Sequence, residues 1–274
     1  MAKSNQTMKV QKAIVDANKF SAGYYGVNGI YKSKIDVIND YIRDQKFINL
    51  KIINLEKCSS LLRRNNTVKY LELRDTTDVG NNFLKDNKVL ESLKAPKLKK
   101  IGNDCLLENL VLKEISLPLL ESVGNNFLKN NLILSKLCTP NLKNIGDYFL
   151  FKNKGLKKVV LNNLEIAGRF VFTCNEDIKY FEARKLKKVG AVFLYNNKKL
   201  TNKTLLIDNL KTTGGDFLGT NENVVIFEYR QHGRRIIKPK NVKNVKKISE
   251  SQRRKKTLEQ IEMSISPHRK YRNK

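Results

Sequence analysis

The chain has 274 residues, 40% of them hydrophobic, and a formal net charge of +28. That apolar content suffices for a core, yet no apolar run approaches the roughly 18 residues that cross a bilayer. Four widely spaced cysteines, Cys58, Cys105, Cys138 and Cys174, and only two histidines leave neither the spacing of a zinc site nor that of a disulfide framework.

The opening residues are mixed and polar, without the apolar block of a secretory leader, which gives the expectation of a cytoplasmic protein. Gly23 to Gly29 is turn-rich and lacks the Gly-Lys-Ser/Thr of a phosphate loop. Residues 33–45 then read as a helix. Ser33 and Asp36 stand at capping-box spacing, and Ile35, Ile38 and Ile42 share one stripe. Such a helix is expected to cover the open edge of the first strand.

From there a period dominates. Gly80, Gly102, Gly124, Gly146, Gly168 and Gly190 lie 22 residues apart, and Gly214 follows after 24. Each opens a version of G-x-x-F-L-x-x-N, so the chain is a stack of supersecondary units. Leucine recurs four residues before the glycine, and Val or Ile usually directly before it. Phe-Leu follows at three and four, Leu, Ile or Val at ten, and Leu, Ile, Val or Phe at thirteen. The slots near ten to fifteen end in period-two alternation, the pattern of a short strand, and stacked copies give a parallel sheet. Pro96, Pro118 and Pro140 mark where strand pairing stops, and the glycine is expected to permit a tight turn.

The most regular slot is asparagine: Asn87, Asn109, Asn131, Asn153, Asn175, Asn197 and Asn221. A carboxamide both donates and accepts, so this row reads as an internal ladder satisfying turn backbone. Asn65, Val68 and Leu71 fit a degenerate capping copy, with Cys58 in place of its glycine. Cys105 occupies a phenylalanine slot and reads as a buried, reduced thiol.

The pattern L-x-x-L-x-A-P-x-L-x-x-I-G-x-x-F-L-x-x-N resembles the BspA-like, treponemal class of leucine-rich repeats over about residues 55 to 230. The resemblance implies an α/β leucine-rich-repeat solenoid with a parallel concave sheet and about eight 22-residue repeats. It also implies a protein-binding surface. The expected organisation is an N-terminal helical cap over 1–50, the solenoid over 51–230 and a basic tail over 231–274, helical or disordered in part.

On that concave face the outward positions are twelve and fourteen after each glycine. They place Tyr70, Glu72, Lys94, Glu114, Lys136, Lys158, Tyr180, Glu182 and Glu228 as candidate protein-binding residues. Three lysines against four glutamates make a mixed surface, and a phosphate groove would be mostly basic. Lys99, Lys100, Lys143, Lys187, Lys188 and Lys211 beside the glycine read as solvated loop residues.

The segment 229–274 holds 16 Lys and Arg against 3 Glu, a net of +13. Arg234, Arg235, Lys246, Lys247, Arg253, Arg254, Lys255 and Lys256 are the candidates there for contact with nucleic acid or an anionic surface. No catalytic motif, paired carboxylates or nucleophile setting is found. The expectation is a non-enzyme without cofactor, metal or small-molecule substrate, acting through an unidentified protein partner.

Overall fold

A computed structural model describes residues 13–25, 29–224, 226–231 and 234–239. The repeat is a solenoid of stacked parallel strands, and three layers run along it. The front sheet holds the longer strands. Ala13–Asp16, Asn49–Ile53, Tyr70–Leu73, Ser92–Lys94, Glu114–Ser116 and Lys136–Cys138 pair in parallel order, and Lys158–Val160, Tyr180–Glu182 and Leu205–Leu206 form a second block. Register advances by one repeat per strand, as in Glu114 against both Ser92 and Lys136. The two extra residues of the long repeat are absorbed between Thr201 and Thr204, so Phe181 pairs with Leu205 as the slots require.

The inward residues of all layers make one continuous core. Leu98, Leu120, Leu142, Leu164 and Leu186 are fully buried, as are Phe83, Phe127, Phe149 and Phe193. Each such side chain gains about 1.5–3 kcal/mol on burial, which no single repeat could collect alone. Aromatic rings run along the seam, with Phe127 and Phe149 centroids 5.8 Å apart and Phe193 and Phe217 also 5.8 Å apart.

A second, side sheet was not expected. Its two-residue strands, Lys57–Cys58, Asp78–Val79, Lys100–Ile101, Ser122–Val123, Asn144–Ile145, Ile166–Ala167 and Lys188–Val189, occupy the two positions before the glycine slot. Thus Lys100 and Lys188 stand on a sheet, not in solvated loops. The row just before it alternates in sign, and Glu121 pairs with Lys143 (3.4 Å) and Glu165 with Lys187 (2.7 Å).

The third layer is the turn carrying Phe-Leu and asparagine. Its backbone alternates hand, and residues two, four and six after the glycine are left-handed, as at Asn82, Leu84 and Asp86 (φ 60°, 52° and 56°). The alternation sends successive N–H groups opposite ways. Asn82 and Asp86 donate forward to the carbonyls of Asn103 and Leu107, and Leu84 donates back to Leu61. Neighbours thereby satisfy a segment that has no regular structure of its own.

The glycines have a different reason from the one the sequence suggested. Among the described glycines only Gly29 has positive φ. At Gly124 a Cβ would lie 2.8 Å from the carbonyl carbon of Gly102 and 2.4 Å from Asn103 Oδ1. Close approach of one turn to the last excludes a side chain there.

The helix forms over Lys34–Gln45, with Ser33 and Asp36 exchanging capping hydrogen bonds and Ile38 and Ile42 buried. It does not cover the front edge, which the strand Ala13–Asp16 extends by pairing with Asn49–Ile53. A helix spends its backbone bonds internally. It covers the first edge of the turn layer instead, through one side chain. Asn39 Oδ1 accepts from the Leu62 N–H (2.8 Å), and its Nδ2 donates to the Ser60 carbonyl (3.3 Å). Asn39 replaces the carbonyl that an earlier repeat would supply.

The capping copy is also one residue short. Cys58 pairs with Val79 and so fills the slot before the glycine, and the place against Gly80 falls to Ser59. The expected break at residue 50 lies inside the strand Asn49–Ile53. Between the last repeat and the tail, Ile226–Gln231 and Arg234–Pro239 form an antiparallel hairpin. Glu228 therefore belongs to that hairpin and not to the parallel sheet, because its strand takes its hydrogen bonds from the following segment. Gly23–Tyr25 and Ile30–Lys32 make another hairpin near the start.

Candidate protein-binding surface

Strand alternation sorts the front sheet cleanly. Leu93, Ile115, Val159 and Phe181 point into the core, whereas Tyr70, Lys94, Lys136, Cys138, Lys158 and Val160 are exposed. Glu72, Glu114, Tyr180 and Glu182 stand on the same face, partly covered by neighbours. Eight of the nine candidates named from sequence thus share one surface; Glu228 does not.

The second block carries a connected cluster. The Tyr180 hydroxyl donates to Glu182 at 2.6 Å, and Arg184 holds the other oxygen of Glu182 at 2.7 Å and Asp208 at 2.8 Å. The Lys158 ammonium sits 5.0 Å from the Tyr180 ring centroid. The hydroxyl and guanidinium lower the Glu182 pKa, and the carboxylate beside Tyr180 raises that of the phenol. In the first block Lys51 pairs with Glu72 (3.0 Å) and Lys136 with Glu114 (3.6 Å). Lys113 binds Glu91 at 2.6 Å, lowering the acid's pKa and raising its own. Glu91 and Lys113 belong to a rim row just before each strand that the alternation rule passed over. Lys69, Lys157 and Lys179 occupy it too.

The front sheet is interrupted between Lys136–Cys138 and Lys158–Val160, while the side sheet runs on through Ser122–Val123, Asn144–Ile145 and Ile166–Ala167. Gly155 marks the place; a Cβ there would stand 2.7 Å from the Leu134 carbonyl oxygen. Leu137 is only partly buried, and the buried Thr139 hydroxyl has no hydrogen-bond partner among the described residues.

The asparagine row is internal, as its spacing implied. Asn109, Asn131, Asn153, Asn175 and Asn197 each donate to a carbonyl 25 residues back, at 2.8 Å. Asn221 donates likewise to the Leu194 carbonyl, 27 residues back, at 2.6 Å, and Asn87 accepts from the Val89 and Leu90 N–H groups. A second ladder, confined to the first four copies of its slot, went unread. Asn81, Asn103, Asn125 and Asp147 accept, through Oδ1, the N–H of the equivalent residue one repeat on. Both ladders are structural.

The thiols divide by burial. Cys58 and Cys105 are pushed up to about 12 by desolvation, and Cys138 lies exposed on the front sheet. No group of three or more His, Cys, Asp or Glu suited to a metal occurs among the described residues, and none of their helices is long and apolar enough to cross a membrane. Of the tail candidates, Arg234 and Arg235 lie in the second hairpin; Lys246, Lys247, Arg253, Arg254, Lys255 and Lys256 fall outside the described residues.

A family model described as BspA type leucine rich repeat region matches six copies over residues 77–201. Residues 77–201 are thus similar to BspA-type leucine-rich repeats. No curated protein and no solved structure matches it. The matched stretch stops short of the shortened capping copy and of the last turn, where repeat slots are least regular. Within it lie the strands Ser92–Lys94 to Tyr180–Glu182, with Lys158, Tyr180, Glu182 and Arg184 of the tyrosine cluster; Asp208 lies beyond it.

Proposed function

We propose that this repeat protein is a non-catalytic recognition module that binds another protein across its front sheet. The observation that carries the reading is the Lys158–Tyr180–Glu182–Arg184–Asp208 cluster, an aromatic side chain held by hydrogen bonds and charge on a partly open face. Holding such a side chain before contact lowers the ordering cost of association, and tyrosine and arginine are the usual anchors of interfaces. A repeat solenoid offers broad faces more readily than a sheltered cleft for acid–base chemistry.

The test is affinity capture from the native lysate after nuclease treatment, comparing the full chain with a Tyr180→Ala, Val160→Asp double variant of unchanged thermal midpoint. Both changes point away from the core, so the fold should tolerate them. Loss of a captured protein from the variant is the expected result. An identical capture profile would remove the front sheet from the function.

A further inference from the structure

Charge on the front sheet is less balanced than its composition suggests. From the strand Tyr70–Leu73 onward, four carboxylates stand on it or on its rim, and each is already bound to a cation of the same chain; Asp16, on the first strand, bonds Asn54 instead. Glu72 is held by Lys51, Glu91 by Lys113, Glu114 by Lys136 and Glu182 by Arg184. Lys69, Lys94, Lys157, Lys158 and Lys179 are exposed on the same surface and make no ion pair among the described residues. Asp177, the further acid near Lys157 and Lys179, is bound to Lys199. Folding thus uses up the acids and leaves the lysines free.

The surplus is densest on the second block. Lys157 and Lys158 lie where one strand begins and Lys179 at the start of the next, on chains about 4.8 Å apart in a sheet. Val160, 40% exposed, and the Tyr180 ring stand among them. Building on the protein-binding reading, we infer that the partner presents an extended acidic segment. Its carboxylates meet Lys157, Lys158 and Lys179, and an apolar side chain among them rests on Val160 and Tyr180.

A nucleic acid fits less well. Non-specific binding of single strands uses bare aromatic faces in a uniformly basic groove. Here the Lys158 ammonium occupies one face of the Tyr180 ring, and Glu182 stands beside it. An acidic peptide needs neither a free ring face nor unbroken positive charge.

The test uses the full chain and a short fluorescein-labelled peptide alternating Glu with Leu and Ser, read by fluorescence anisotropy at moderate salt. One variant is Lys157→Glu, Lys158→Glu, Lys179→Glu. Its control is Lys57→Glu, Lys100→Glu, Lys188→Glu, which reverses three exposed lysines of the side sheet. Both variants have the same net charge and keep the basic tail. The front-sheet variant should bind at least roughly tenfold more weakly, since each reversal turns attraction into repulsion, and the control should change less than about twofold.

Equal loss in both variants would overturn the inference, leaving only attraction to net charge. So would oligo-dT that outcompetes the peptide with the same dependence on the three lysines. If the peptide ignores both variants while the Tyr180 and Val160 variant still loses its captured protein, the partner class is wrong and the interaction reading stands. If capture is also unchanged, both fall.

Discussion

The turn layer and the outward positions of the front sheet share one 22-residue period but obey it very differently. In the turn layer, glycine, Phe-Leu and asparagine recur because each slot is fixed by the repeat below it, through van der Waals contact or a buried hydrogen bond. On the front sheet the equivalent positions run through Tyr70, Ser92, Glu114, Lys136, Lys158 and Tyr180, six residues of four types. Stacking demands only that they point away from the core. Positions free of stacking constraint are those a solenoid can give to recognition.

Adding the same side chain to each layer should separate them most sharply. Gly124→Val places carbon atoms where Gly102 and Asn103 already stand, so one turn must lift off the other. The expected cost is on the order of 4 kcal/mol or more, at the upper end for single substitutions. Ser116→Val, on the outward face of its strand, should stay within about 0.5 kcal/mol. Chemical denaturation midpoints of the two variants provide the check, and a similar shift in both would erase the distinction.

A smaller effect is expected at the asparagine ladder. Asn153 donates to the Leu128 and Phe151 carbonyls, and its N–H meets Asn175 Oδ1. Asn153→Ala strands buried carbonyl groups and should destabilise by about 2–3 kcal/mol. The matching truncation on the open face, Lys94→Ala, should be close to neutral in the same denaturation experiment. A ladder variant as stable as the surface variant would mean that the row is decorative.

The turn layer also contains a residue that breaks its local rules. Thr220 is β-branched yet left-handed (φ 60°), and its buried hydroxyl oxygen lacks a partner among the described residues. A left-handed L-residue costs roughly 1–2 kcal/mol, and β-branching adds crowding. Thr220→Gly removes both burdens at some entropic cost in the unfolded chain, and it should stabilise by about 1 kcal/mol. A raised thermal midpoint is the expected reading; a lowered one would show that the threonine methyl packs better than its geometry implies.

The same contrast explains what could be read from sequence. Phe127, Leu128 and Asn131 were legible because seven near-copies repeat their slots, and burial bears each of them out. The reason for the glycine was not, since tight turns and close contact both select glycine and only the Gly102–Gly124 approach distinguishes them. Two-residue strands such as Ser122–Val123 are too short to show alternation, and Ala13–Asp16 occurs outside the repeat. Of the candidate site, Tyr180 and Glu182 could be placed by counting. Their partner Arg184 and the rim lysines could not, because pairing depends on side-chain reach across neighbouring strands. Glu228 was misplaced where counting ran past the last copy into a hairpin.

The smallest expected effect concerns the acid–base pairs that tie one repeat to the next on exposed surfaces. Glu91, Glu165 and Asp177 each have a lowered pKa, with a lysine one repeat later as the largest cause, Lys113, Lys187 and Lys199 respectively. A carboxyl group with a depressed folded pKa stabilises the fold at pH values above its unfolded pKa, and that contribution fades as pH falls through the folded one. Denaturation midpoints should therefore agree between neutral pH and the top of the ordinary carboxylate range, then decline below it. Because these groups are solvated, added salt should flatten the decline, whereas cavity or clash variants in the turn layer should respond little to either pH or salt. A steep loss of stability well above the carboxylate range would instead require a titrating group in the buried layers, where the asparagine row holds neutral amides.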